Sequence, residues 1–374
     1  MAQKPIPVNT PLLDGNELKY VTECIETGWI SSEGPFISKF EEKFSTYIGS
    51  KYGIAVSNGS AALDIAIKAL RIGPGDEVIM PAFTIISPAQ AVVTAGATPV
   101  LIESDPITWN MNVAEIEAKI TPRTKAILVV HIYGLPVDMD PVLDLAKQYG
   151  LKVIEDAAEM HGQTYKGKMV GSLGDISIFS FYPNKHITTG EGGMVLTNDL
   201  ELAERCKKLR NLCFEPNGPR FIHYEIGWNY RMTNLQAALG LAQLERIEQF
   251  IEKKRAMGKR YQKELAFIAD QDFQLPLAET SYAENIYWVF GLVGPSEEAK
   301  NKMVAHLTKN QIGTRPFFWC IHEQPVFQQM GLFKDEHYPV AEKLARNGFY
   351  VPSGLGLDET DLTIVSQTMR EYGG

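Results

Sequence analysis

With 374 residues, the chain is too long for one small core and long enough for a large domain with a smaller companion. Its 36 Lys and Arg against 45 Asp and Glu leave nine net negative charges, which works against generic attraction to nucleic acid or anionic membranes; an anionic ligand would need local donors. The four cysteines, Cys24, Cys206, Cys213 and Cys320, have neither CxxC nor metal-ligand spacing, and no stretch approaches the ~20 apolar residues of a membrane span, so a cytoplasmic chain without disulfides, metal or membrane segment is expected.

In chain order, two helical segments come first, one after Asp14-Gly15 and one over 34–48. Short apolar runs at 53–56, 77–80, 99–102, 126–130 and 152–155 then alternate with segments of helical period such as 61–70 and 141–149, the second stopped by Gly150. That rhythm predicts an α/β fold with a mostly parallel central sheet buried on both faces. A charged helical stretch over 233–263 reads as a connector, which divides the chain into a large domain over 1–245 and a smaller C-terminal α+β domain over 246–374. The smaller unit is expected to hold a strand over 286–293 and helices over 297–309 and 340–347.

Four segments carry chemistry. Ser57-Asn58-Gly59-Ser60 is a polar turn between a strand and a helix, able to offer N–H groups to an anion, although any such turn can serve as a plain helix cap. Phe83, Thr84 and Ser87 follow the next strand at the same rim. Glu155, Asp156 and Glu159 follow an apolar strand at the end where ligands bind in open α/β sheets; an N-cap role is the plainer alternative. Finally, Phe179-Ser180-Phe181-Tyr182-Pro183-Asn184-Lys185 runs into a bend with Gly190, Gly192 and Gly193. Lysine is the side chain that condenses with carbonyls, and desolvation brings its proton off near neutral pH.

Together these segments resemble the fold-type I pyridoxal-phosphate (PLP) enzymes, and specifically the DegT/DnrJ/EryC1/StrS family of nucleotide-sugar aminotransferases. The likeness runs from Pro11-Leu12-Leu13-Asp14-Gly15 through His131-Ile132-Tyr133-Gly134 and Trp228-Asn229-Tyr230-Arg231 to Gly313-Thr314-Arg315-Pro316. It implies Lys185 as the cofactor-bearing lysine and proton carrier, and Asp156 as partner of the pyridine nitrogen. It further implies Gly59, Ser60 and Ser180 at the phosphate, Glu159 near the ring hydroxyl, and Asn229 reaching the cofactor phosphate of a second subunit in a homodimer. Relatives often place a ring-covering aromatic after the threonine; here that position is Ile85, and Phe83 is the nearest aromatic. Some members replace the lysine with histidine and become dehydratases; counting back five from Gly190 gives Lys185, with His186 one place on. Arg315, His322 and His186 are the candidates for sugar or pyrophosphate contacts.

The branch most resembled is that of sugar 4-aminotransferases of the perosamine and viosamine type, which implies L-glutamate as donor, pyridoxamine phosphate as the carrier of the amino group, and a nucleotide-linked 4-keto-6-deoxyhexose as acceptor. GDP-4-keto-6-deoxymannose is the first choice. A dTDP- or UDP-linked sugar, reaction at C3, and a non-catalytic member that keeps the fold stay open, as does O-antigen or lipopolysaccharide biosynthesis as the setting.

Overall fold

The computed structural model describes residues 4–215 and 218–372. Helices α1 (Glu17–Thr27) and α2 (Pro35–Ile48) lead, α2 opened by Pro35 in its first turn and both closed by a left-handed glycine, Gly28 and Gly49. Strands and helices then alternate: β1 (Tyr52–Val56), α3 (Gly59–Ala69), β2 (Glu77–Pro81), α4 (Ser87–Thr94), β3 (Thr98–Ile102), β4 (Thr124–Val130), α5 (Met139–Tyr149) and β5 (Lys152–Asp156). A small pair, β6 (Thr164–Tyr165) and β7 (Lys168–Met169), precedes β8 (Ile176–Ser180), β9 (Gly193–Thr197) and α6 (Leu200–Arg210).

The main sheet has the order β1-β9-β8-β5-β4-β2-β3. From β8 to β3 every pairing is parallel, whereas β9 is antiparallel to both β8 and β1. Six strands therefore point one way and β9 alone points back. Alternate residues feed two cores: Ile54, Val56, Val78, Met80, Ala126 and Leu128 lie in the cluster on one face, and Ala55, Ile79, Ile127 and Val129 in the cluster on the other.

The remaining elements are α7 (Asn234–Leu244), α8 (Ile247–Glu264), β10 (Phe290–Val293), α9 (Glu297–Lys309), β11 (Arg315–Pro316), α10 (Pro325–Gln329), α11 (Pro339–Asn347), β12 (Gly348–Val351) and α12 (Glu359–Tyr372). Strands β10, β12 and β11 form a second, antiparallel sheet in that order, with a core of its own that includes Tyr261, Phe290, Leu292, Phe349 and Val351.

Two expectations are corrected. The stretch over 233–263 is two helices, not one, because Arg246 leaves helical geometry (φ −118°, ψ 11°). Its guanidinium pairs with Asp14, while Glu245 accepts from Asn16 Nδ2 and Tyr20 Oη, so the residues around the start of α1 fix the corner. The strand expected from residue 286 begins only at Phe290, since Tyr287 takes a left-handed backbone (φ 49°) and its N–H donates to Asn285 Oδ1.

Candidate active site

Because β1, β2, β4, β5 and β8 end at one edge of the sheet and the reversed β9 begins there, the loops that follow or precede them converge. This is the carboxyl edge at which open α/β sheets bind ligands. A cavity of about 440 Å³ opens at this edge.

One end of it is built around the start of α3. Asn58, in extended conformation, caps the helix by accepting from the N–H of Ala61 at 2.8 Å. The N–H groups of Gly59 and Ser60 lie ahead of the first intrahelical acceptor, where helices hold anions. A Cβ on Gly59 would lie 2.9 Å from the Cβ of Ser180, so this approach of α3 to the end of β8 requires glycine. Ser60 Oγ lies 2.9 Å from Ser87 Oγ, and Ser60 and Ser180 both line the cavity.

The other end is dry. Lys185 sits in a loop closed at its base, where Phe181 N–H donates to Gly192 O (2.9 Å) and Thr189 N–H to Phe181 O (3.0 Å). Its Nζ lies 3.9 Å from Glu159 Oε1 and 3.8 Å from the ring centroid of Trp288. Burial lowers the Lys185 pKa, against the opposing pull of Glu159 and Asp156. Burial likewise pushes Asp156 up to about 6 and Glu159 up to about 8, although Ala158 N–H donates to Asp156 (3.1 Å) and Tyr133 N–H to Glu159 (2.7 Å). Both carboxyls thus hold protons far more readily than ordinary acids. Nearby, His131 Nδ1 accepts from Val137 N–H (3.0 Å), which leaves the proton on Nε2, 3.4 Å from Glu155 Oε2. Glu155 itself accepts from the N–H groups of Gly171, Leu173 and Gly174.

Thr84 Oγ1 and Asn184 Oδ1 are buried, without a hydrogen-bond partner among the described residues, and both residues line the cavity. Unsatisfied polar atoms beside a helix-start anion cradle, an acid and a desolvated lysine suit a flat polar ring with an anionic tail and a carbonyl. PLP meets that description: Gly59, Ser60 and Ser180 would hold its phosphate, Asp156 its ring nitrogen and Lys185 its carbonyl carbon.

Gly59, Ser60, Asp156, Glu159, Ser180 and Lys185 are therefore brought together as the sequence suggests. Five other candidates do not line the cavity. Phe83 is fully buried beside it, packed on Tyr133, Phe317 and Phe318, and does not reach the cavity where a ring would lie. His186 is buried and its Nε2 lies 3.5 Å from Ile286 O. His322 pairs with Glu342 at 3.2 Å, in a cluster with Glu323 whose carboxylates are also engaged by Arg346. Arg315 is exposed on β11, opposite Tyr350 of β12, and Asn229 is exposed, accepting from Arg231 Nε at 3.0 Å. The residues missed are Trp288, Phe318 and Tyr350, which arrive from the C-terminal third and line the cavity. Their only signal was membership of runs that read equally well as core.

Comparison with known proteins gives the family and the fold. The profile described as the DegT/DnrJ/EryC1/StrS aminotransferase family matches residues 11–370. Among curated relatives, the GDP-perosamine synthase of Escherichia coli O157:H7 is 43% identical over 373 residues, covering 99% of each chain. That of Caulobacter vibrioides is 44% identical over 359 residues, covering 96% of this chain and 95% of its own. Among solved structures, an aminotransferase from Psychrobacter cryohalolentis superposes with a TM-score of 0.89 at 31% identity, covering 98% of both chains.

Proposed function

Since the chain belongs to the DegT/DnrJ/EryC1/StrS aminotransferase family, we propose that it moves the amino group of L-glutamate to the C4 ketone of GDP-4-keto-6-deoxymannose, giving GDP-perosamine. It is a PLP-dependent aminotransferase. The observation that carries the reading is Lys185 itself, a desolvated amine at the dry end of a cavity whose other end is an anion cradle.

PLP, when bound, supplies an electron sink for charge that develops at the reacting carbon. The protein's part follows from the geometry. Burial favours the neutral form of Lys185 Nζ, the form that can take the α-proton of the amino donor and later return a proton to the acceptor. Asp156 would hold the proton of the ring nitrogen, and Glu159, raised by burial to about 8, would donate toward a ring hydroxyl. Trp288 and Phe318 add apolar surface to the cavity lining.

The substrate assignment leans on near-full-length likeness to GDP-perosamine synthases. Asn229, exposed and outside its own chain's cavity, is assigned to the phosphate in a partner's site, which makes the working unit a C2 homodimer. The reading takes residues 1–245 as a large unit and 246–374 as a smaller one, a division supported by a cavity lined from residues 58–191 and by Trp288, Phe318 and Tyr350, and takes O-antigen synthesis in the cytoplasm as the setting. Among the described residues, no helix is long and apolar enough to cross a membrane.

The test is incubation with PLP, L-glutamate and either GDP-4-keto-6-deoxymannose or dTDP-4-keto-6-deoxyglucose, with mass spectrometry of the nucleotide sugars. Amination of the GDP-linked sugar with matching 2-oxoglutarate is expected. Equal or faster conversion of the dTDP-linked sugar would overturn the nucleotide assignment, and a monomer on sedimentation would remove the shared site.

A further inference from the structure

Lys254, on α8, is buried (3% exposed) and among the described residues has no carboxylate partner. Its Nζ donates instead to two backbone carbonyls, that of Trp288 at 2.9 Å and that of Ser353. A lone ammonium taken out of water is costly, and this one is lowered by burial to about 7.

The register of the second sheet explains what it does there. Phe290 pairs with Val351, so continuing the antiparallel ladder would set Val289 opposite Pro352 and Trp288 opposite Ser353. Ser353 N–H, the donor that would serve Trp288 O, turns instead to Val8 O (3.1 Å), and the ladder ends. Three carbonyls are left at the open end, and α8 supplies their donors: Lys254 for Trp288 and Ser353, and Tyr261 Oη for Pro352 at 2.9 Å. The clamped residue, Trp288, is the one whose ring lies against Lys185 Nζ, and whose Nε1–H donates to Asn184 O, one residue before Lys185, at 2.8 Å.

We propose that Lys254 is a positioning residue, whose ammonium replaces the missing ladder donors and so fixes the Trp288 indole against Lys185 and its loop. This rests on Lys185 being the reactive amine. Without the clamp, Trp288 shifts, water reaches Nζ, and Lys185 reverts toward the ordinary lysine range; the lost cation–π contact, which favours the charged amine, offsets only part of that gain in solvation.

The experiment is reductive methylation of the cofactor-free protein as a function of pH, with modification at Lys185 read by mass spectrometry, in the parent chain, Lys254→Met and Trp288→Phe. The expected result for Lys254→Met is an upward shift of the Lys185 midpoint, a roughly tenfold lower fraction of free amine at neutral pH for a one-unit shift. Trp288→Phe keeps both Lys254 contacts and loses the Asn184 bond; its midpoint should move the same way, and adding Lys254→Met should shift it no further. An unmoved or lowered midpoint in a folded Lys254→Met, or in Trp288→Phe should Lys254→Met fail to fold, overturns the proposal. Neither outcome depends on the sugar substrate, whose conversion by the parent chain tests the enzyme reading separately.

Discussion

The two ends of the cavity are built on opposite principles. The cradle at Gly59, Ser60 and Ser180 is half exposed and made of backbone N–H groups and hydroxyls. The Lys185 end is buried and made of ionisable groups, each displaced from its ordinary range by lost solvation. Holding an anion calls for fixed donors that water can share, whereas moving protons calls for groups whose charged and neutral forms are close in energy. The contrast teaches that binding and turnover should be separable by mutation.

The sharpest break is Lys185→Ala. It removes the proton carrier, so turnover should fall by ~10²–10⁴-fold or more, while the cradle retains PLP in part. Retention of cofactor after gel filtration, alongside product formation, checks both halves; full activity would sink the assignment of Lys185.

Next comes Gly59→Ala, which attacks the other end. Its Cβ meets Ser180 at 2.9 Å, so α3 must back away from the end of β8. PLP affinity, measured by titration of the cofactor-free protein, should weaken by roughly tenfold or more, the equivalent of about one hydrogen bond to a charged group. Saturating cofactor should restore most of the turnover. Loss of turnover that saturation cannot restore would show that the two ends are not separable.

The smallest effect concerns stability. Glu159 is raised from the usual glutamate range to about 8, so between about pH 5 and 8 the folded cofactor-free chain binds a proton there that the unfolded chain has lost. Stability from this group is therefore present at low pH and declines as pH rises through that window. Glu159→Gln should flatten the decline in Tm across the window, and an identical slope in both proteins would count against the raised carboxyl.

Lys185, Asp156 and the α3 cradle were legible because each lies at the end of a strand or in the turn that leaves it, so one apolar run places it at the sheet edge. Trp288 and Tyr350 were not, because they reach the cavity from the second sheet and nothing local distinguishes them from core aromatics. Phe83 and His322 misled for the complementary reason: an aromatic near a strand end and a histidine after Arg315 are the right residue types, but packing against Phe317 and pairing with Glu342 draw them away. The corner at Arg246 was hidden too, since its cause is Asp14, far back in the chain.

The reversal of β9 has one more effect. Ser180 at the end of β8 pairs with Gly193 at the start of β9, so the segment carrying Lys185 is pinned at both ends to adjacent strands. An amine on so short a leash stays at high effective molarity beside the reacting carbon even when no bond joins them. The proton carrier is therefore already in reach when each turnover begins.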